Sequence, residues 1–189
     1  EFDGTYPDTL YALADSDGST VWKARLQAHM YITESVSFAP NGDLVVSCDD
    51  FRTARIDWRT GDTVWTTNRV WPVTGAADIC VYDSTVYAYS GDIGSLFLNA
   101  WDLGTGRFKY QKRLQDTHPG GPMPQSAPMV GDDGIVYAHK PGDNVTALED
   151  TGDSLRVLWT HEVSGDSYYY SIFSHFAVGP DRSVYCASN

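Results

Sequence analysis

Hydrophobic positions along this chain fall in short runs of β-branched and aromatic residues, each preceded by a polar turn. Runs of this kind occupy residues 42–46, 83–87, 132–137 and 181–185. β-Branched and aromatic residues favour strands, and the turn before each run is typical of a hairpin. No ten-residue stretch has the periodicity of an amphipathic helix. The pattern predicts an all-β protein.

A second pattern recurs with a period of tens of residues. It consists of a small apolar position, a polar turn that contains a glycine, and an aromatic ring four positions after the glycine, or seven in the last copy. The glycines are Gly18, Gly61, Gly106 and Gly152, and the rings are Trp22, Trp65, Tyr110 and Trp159. The rings are 43, 45 and 49 residues apart, which matches one four-stranded blade per period. The sequence therefore predicts a β-propeller of four-stranded antiparallel blades, about four in this chain.

The repeated segments resemble the PQQ-like (quinoprotein-type) repeat, whose blade carries a pattern of the form Ala-x-Asp-x-x-Thr-Gly-x-x-x-Trp. Residues 100–110 and 55–65 carry most of this pattern, and the resemblance extends over nearly the whole chain. It implies that the glycine serves the turn between the third and fourth strands, and that the ring packs between neighbouring blades. We therefore expect the four glycines and four rings to have a structural role, because glycine tolerates positive φ and a large ring fills the space between twisted sheets.

The repeat divides the chain into three whole blades and two halves. The blades are predicted at residues 27–70, 71–114 and 115–163, an outer half-blade at 1–26 and an inner half-blade at 164–189. The two halves are complementary, and their open edges expose backbone groups that need partners. The ends could close a four-bladed ring, two chains could exchange halves in an eight-bladed ring, or the chain could belong to a longer protein. We favour association of copies or a longer parent chain.

Composition narrows the classes of partner. With 13 Lys and Arg against 25 Asp and Glu, the formal net charge is -12, which disfavours nucleic acid and anionic lipid. No apolar run is long enough for a membrane-spanning helix, and the opening Glu1-Phe2-Asp3 begins no signal pattern, so we expect a soluble chain that is processed or trimmed.

The three cysteines fit neither a zinc site nor a disulfide scaffold, and the possibility of one disulfide with one free thiol stays open. Asn144 begins a sequon for N-glycosylation.

No catalytic or cofactor-binding residue is predicted. The PQQ-dependent dehydrogenases that this repeat resembles hold the quinone with Ca²⁺, an aspartate base and often two adjacent cysteines, and no Cys-Cys pair is present here. PQQ and Ca²⁺ are expected only if the chain is a fragment of such an enzyme. Asp15 to Ser19 has the spacing of a calcium loop, but the same position in other repeats favours a plain turn.

The connections between blades are the least repetitive segments, and loops on a rigid scaffold often carry function. Aromatic rings with polar tips suit protein or carbohydrate ligands. The alternative is that these side chains pack over the blade ends. The candidate binding surface consists of His29, Tyr31, Trp71, His118, Tyr168, Tyr169, Tyr170 and His175.

The leading hypothesis is a non-catalytic extracytoplasmic or secreted propeller that serves as a scaffold or binding module and associates with itself through its half-blades. The alternatives are a fragment of a PQQ- and Ca²⁺-dependent quinoprotein dehydrogenase, and a carbohydrate-binding or adhesive surface propeller.

Overall fold

The computed structural model describes residues 9–26, 36–47, 52–67, 79–92, 95–116, 127–140, 144–162 and 176–186. These residues form sixteen β-strands, and no helix lies among them. Within each sheet, strands that are adjacent in sequence pair antiparallel, so the strand order in space is the order in the chain. The predicted all-β fold class is confirmed.

The strands form five sheets, which we number along the chain. Sheet 1 contains β1 (Thr9–Leu13) and β2 (Thr20–Arg25). Sheet 2 contains β3 (Val36–Phe38), β4 (Leu44–Ser47), β5 (Thr53–Ile56) and β6 (Thr63–Thr66). Sheet 3 contains β7 (Ile79–Tyr82), β8 (Thr85–Asp92), β9 (Ser95–Asp102) and β10 (Phe108–Asp116). Sheet 4 contains β11 (Met129–Val130), β12 (Ile135–Lys140), β13 (Asn144–Asp150) and β14 (Leu155–Glu162). Sheet 5 contains β15 (Phe176–Val178) and β16 (Val184–Cys186).

The turn between the last two strands of sheets 2 and 3 is set by an aspartate and a glycine. In sheet 3, Asp102 Oδ1 accepts hydrogen bonds from the backbone amide and the hydroxyl of Thr105, and the amide of Gly106 donates to the carbonyl of Asp102. Gly106 has a φ of 69°, which costs a residue with a Cβ about 1–2 kcal/mol. In sheet 1, Ala14 to Ser19 closes a turn with the same backbone hydrogen bond, from Gly18 to Ala14.

The hydrophobic core lies between consecutive sheets. One cluster joins sheets 1 and 2 around Ala24, Val46 and Ile56. A second joins sheets 2 and 3 and a third joins sheets 3 and 4, so sheets 1 to 4 bury side chains against one another in sequence. Face-to-face packing of this kind is how neighbouring propeller blades exclude water.

The first strands of sheets 2 to 5 contact one another in order, β3 with β7, β7 with β11 and β11 with β15. They are therefore the innermost strands of an arc of blades around one axis. Within the described part of the chain, no strand ladder joins β16 to β1. Sheets 1 and 5 each have two strands and are called the half-blades below.

Candidate functional site

The first two junctions between sheets use the same contact, a tryptophan of one sheet lying on a glycine of the next. Trp22 covers Gly61, where an added Cβ would lie 2.7 Å from the ring, and Trp65 covers Gly106 at the same distance. The indole Nε1 of Trp22 donates to the carbonyl of Trp58 at 2.8 Å. The contact therefore combines ring packing with a hydrogen bond to the backbone of the neighbouring blade.

The second junction repeats that geometry. Trp65 Nε1 donates to the carbonyl of Leu103 at 2.9 Å. In both junctions the accepting carbonyl lies three residues before the covered glycine. One rule thus describes both: a ring docks on a glycine, and its N–H reaches the carbonyl three positions earlier.

The third junction, between sheets 3 and 4, uses a carboxylate instead. Tyr87 donates its hydroxyl hydrogen to Asp150 Oδ2 at 2.5 Å, and the hydroxyl of Tyr110 is buried without a hydrogen bond of regular geometry. Gly152 has nothing within 4 Å of an added Cβ, so Tyr110 does not cover it as the tryptophans cover Gly61 and Gly106. The insertion after Asp150 therefore replaces the ring-on-glycine contact with a phenol and a carboxylate.

Burial and hydrogen bonding at this junction shift the pKa values of both Tyr87 and Asp150. Burial opposes the charge on Asp150, but the phenols of Tyr110 and Tyr87 and the amide of Gly152 outweigh it and lower the pKa of the carboxyl. Burial and the neighbouring carboxylate raise the pKa of Tyr87. The junction is therefore most stable with Asp150 charged and Tyr87 neutral.

Arg55 forms a second link between sheets 2 and 3. It donates to Asp43 Oδ2 at 2.8 Å from Nε and to the carbonyl of Leu103 at 2.9 Å from Nη1. Burial opposes ionisation of Asp43, yet hydrogen bonds from Asn41 and Arg55 hold its pKa below the usual value. Sequence reasoning missed Arg55 and Asp150. In the sequence, the only sign of Arg55 was that it stands at a place where the repeat has alanine. The only sign of Asp150 was that it precedes the insertion.

The two ends of the arc present large apolar side chains to solvent. On sheet 1, Tyr11 is 56% exposed and Leu13 is 61% exposed; on sheet 5, Tyr185 is 59% exposed. Trp159, the ring of the fourth repeat, is 43% exposed, and Gly18, the glycine of the first, has nothing within 4 Å of an added Cβ. These five residues, four on the half-blades and Trp159 on the neighbouring sheet 4, form what we call the open surfaces.

The candidate binding surface predicted from the connections lies outside the described residues. This applies to His29, Tyr31, Trp71, His118, Tyr168, Tyr169, Tyr170 and His175. Asn144 is the first residue of β13 and pairs with Lys140 and Glu162 on the neighbouring strands. Its glycosylation stays a prediction.

Cys80 and Cys186 are free thiols, Cys48 lies outside the described ranges, and burial raises the pKa of Cys80 to about 11. The described part of the chain contains no group of three or more His, Cys, Asp or Glu side chains placed to hold a metal ion. It also has no helix with the length and apolar character needed to cross a membrane.

Comparison with solved structures shows the same fold in proteins of low sequence identity. BamB from Moraxella catarrhalis superposes with a TM-score of 0.63 at 17% identity, over 90% of this chain and 47% of that one. Quinohemoprotein alcohol dehydrogenase from Comamonas testosteroni gives a TM-score of 0.58 at 15% identity, over 82% of this chain and 32% of that one. The computationally designed Ika8 protein gives 0.61 at 13% identity, over 95% of this chain and 52% of that one. The chain thus spans about half the length of BamB and Ika8 and a third of the dehydrogenase.

The serial sheets, the innermost first strands and the ring contacts between sheets define an arc of β-propeller blades. The family model described as outer membrane protein assembly factor BamB matches residues 2–188. The chain therefore belongs to this family of PQQ-like repeats, and the predicted family is confirmed. Comparison with curated proteins gave no significant match.

Proposed function

We propose that this chain is a non-catalytic, extracytoplasmic β-propeller module that binds proteins and associates with further copies through its half-blades. The observation that carries the proposal is the pair of open surfaces. Tyr11, Leu13 and Tyr185 are all more than half exposed, and exposed apolar groups beside a strand edge that has no ladder partner among the described residues favour a protein partner.

The family description supports the same role. Its words name an assembly factor for outer membrane proteins, which is a protein-binding function in an extracytoplasmic setting. A scaffold role for this chain extends that description by analogy.

Self-association is tested by light scattering after size exclusion over about 1–100 µM protein, a range that detects dimers of micromolar affinity. The expected result is a mass that rises with concentration to twice the chain mass of 20.9 kDa. A constant monomer mass would reject this part of the proposal. Fractionation of source cells, with a periplasmic and a cytoplasmic marker protein, tests the location.

The second candidate function is a piece of a quinoprotein dehydrogenase, favoured by the likeness to the Comamonas enzyme. Among the described residues, no group of three or more His, Cys, Asp or Glu side chains is placed to hold a metal ion. PQQ and Ca²⁺ added to the purified chain should give no protein-bound quinone absorbance and no dye reduction. A bound quinone with alcohol-dependent dye reduction would replace the scaffold proposal by the enzyme.

The third candidate, a carbohydrate-binding or adhesive propeller, depends on the aromatic connections outside the described residues. A glycan array tests it, and binding lost in a Trp71→Ala variant would support it.

A further inference from the structure

The turns between the first two strands of sheets 2, 4 and 5 share one structure, at residues 39–43, 131–135 and 179–183. In each turn the amide of the first residue donates to the carbonyl of the fifth, and the amide of the fourth donates to the carbonyl of the first. The side chain of the third residue accepts a hydrogen bond from the amide of the fifth. These third residues are Asn41, Asp133 and Asp181. A carboxylate therefore serves as the acceptor in two of the three turns.

The turn of sheet 2 differs from the other two at its fifth residue. This residue is Asp43, where the others have Ile135 and Ser183. The side chain of Asp43 is 5% exposed, and its Oδ2 accepts hydrogen bonds from Asn41 Nδ2 at 2.9 Å and from Arg55 Nε at 2.8 Å. An amide side chain can donate as well as accept, which a carboxylate cannot. The amide of Asn41 is thus matched to the buried carboxylate beside it.

This carboxylate is connected to the contact between sheets 2 and 3. Asp43 holds Arg55, and Arg55 donates from Nη1 to the carbonyl of Leu103. The same carbonyl accepts the indole N–H of Trp65. A change in charge beside Asp43 therefore acts on a link between two blades as well as on its own turn.

Asn41 is exposed to water and is followed by Gly42, whose φ is 91°. The backbone nitrogen of the residue after an asparagine can attack the side-chain carbonyl carbon, and glycine leaves this approach open because it has no Cβ. A bond forms between the Gly42 nitrogen and Asn41 Cγ while the bond from Cγ to Nδ2 breaks. Nδ2 leaves as ammonia with the proton of the Gly42 amide. Water then opens the succinimide ring, at one carbonyl to give aspartate and at the other to give isoaspartate.

We infer that Asn41 is a site of spontaneous deamidation, and that its products weaken the link between sheets 2 and 3. Deamidation replaces the donor on Asp43 Oδ2 with a second carboxylate at the same place. Two carboxylates in contact oppose each other's ionisation, and both compete for Arg55. The reaction proceeds from opened turns, because the closed turn holds the Gly42 amide on the carbonyl of Ala39 at 2.8 Å.

Peptide mass spectrometry of the folded wild-type chain, incubated in mildly alkaline buffer, tests the reaction. We expect the peptide that contains Asn41 to convert steadily to its aspartate and isoaspartate forms. Asn99 is the internal control, because it is fully buried in sheet 3 and is followed by Ala100, and it should keep its amide. An Asn41 that keeps its amide for as long as Asn99 does would overturn the inference.

The Asn41→Asp variant tests the consequence in urea unfolding. We expect the ratio of unfolded to folded chain to rise about tenfold or more, the equivalent of one pKa unit of repulsion between adjacent carboxylates. In an Asp43→Asn background the same substitution should change this ratio little, because the second carboxylate is absent. Equal effects in the two backgrounds, or no effect in the wild-type background, would contradict the assigned role of Asp43.

The aged wild-type chain gives the same comparison on molecules that folded before they were modified. Deamidation adds one negative charge, so ion exchange separates the modified chain from the unmodified chain. We expect the modified fraction to unfold at a lower urea concentration. Identical urea midpoints for the two fractions would overturn the inferred weakening even if Asn41 deamidates.

Discussion

Gly61 and Gly106 meet two requirements at once. Each has a φ near +70°, at 76° and 69°, and each has an indole ring where a Cβ would be. Gly152 meets only the first, since its φ is 91° but nothing lies within 4 Å of an added Cβ. The same residue type at the same place in the repeat therefore has different packing constraints, and substitution can measure the difference.

Gly106→Ala should lower the free energy of unfolding by about 3 kcal/mol, the sum of a left-handed alanine and a core clash with Trp65. The matched variant Gly152→Ala should lower it by only about 1 kcal/mol, because it has the backbone strain without the clash. Urea unfolding of both variants at pH 7 measures this difference. Equal losses would mean that Trp65 moves aside at no cost.

Asp150 should make stability depend on acid pH. Its pKa is lowered in the folded chain, so its charge stabilises the fold fully above its unfolded pKa of about 4, and this contribution is lost as the pH falls through the lower folded value. The stability difference between wild type and Asp150→Asn should therefore be constant from about pH 5 to 7 and shrink below pH 4. Urea unfolding across this range measures it.

Asp62→Asn, which makes the same substitution at an exposed position in the turn of sheet 2, serves as the control for the substitution itself. A difference for Asp150→Asn that stays constant down to pH 3 would contradict the assigned role of the carboxylate.

At the scale of the strand and sheet, the arginine pairs of sheets 2 and 4 differ in burial. The side chains of Arg55 and Asp43 are 15% and 5% exposed, whereas those of Arg156 and Glu149 are 66% and 40% exposed. Arg55→Ala should cost about 3 kcal/mol or more, because it leaves a buried carboxylate unpaired. Arg156→Ala should cost less than about 1 kcal/mol. Thermal unfolding of both variants checks the order, and similar losses would show that Asp43 finds another partner.

The elements were predictable from the sequence because the repeat is local. Turn glycines and ring positions recur about every 45 residues, and each turn is built from residues adjacent in the chain. The side-chain contacts that join one sheet to the next outside the repeat pattern were not predictable in the same way. Tyr87 and Asp150 are 63 residues apart, and Arg55 reaches Leu103 across 48 residues, so the pairing depends on how one sheet packs on the next.

The candidate binding surface shows the opposite case. Its residues depart from the repeat, and departure from a repeat identifies a variable segment without fixing its geometry.

For the whole molecule, charge opposes the proposed dimer. Each copy carries a formal net charge of -12, and the repulsion extends over a Debye length of about 30 Å at 10 mM salt but only about 8 Å at 150 mM. Association should therefore be tighter at 150 mM than at 10 mM sodium chloride. Sedimentation velocity measures the change. Weaker association at the higher salt would indicate that ion pairs, rather than apolar contacts, hold the copies together.

Hydrogen exchange should reveal which strands complete their pairing in the dimer. β8 and β9 have neighbours on both sides, whereas β1 and β16 each belong to a two-stranded sheet, and two strands alone are marginally stable. At low protein concentration the amides of β1 and β16 should exchange faster than those of β8 and β9. Raising the concentration should slow exchange in β1 and β16 and leave β8 and β9 unchanged. Protection of β1 that is independent of concentration would show that its partner lies within the same chain.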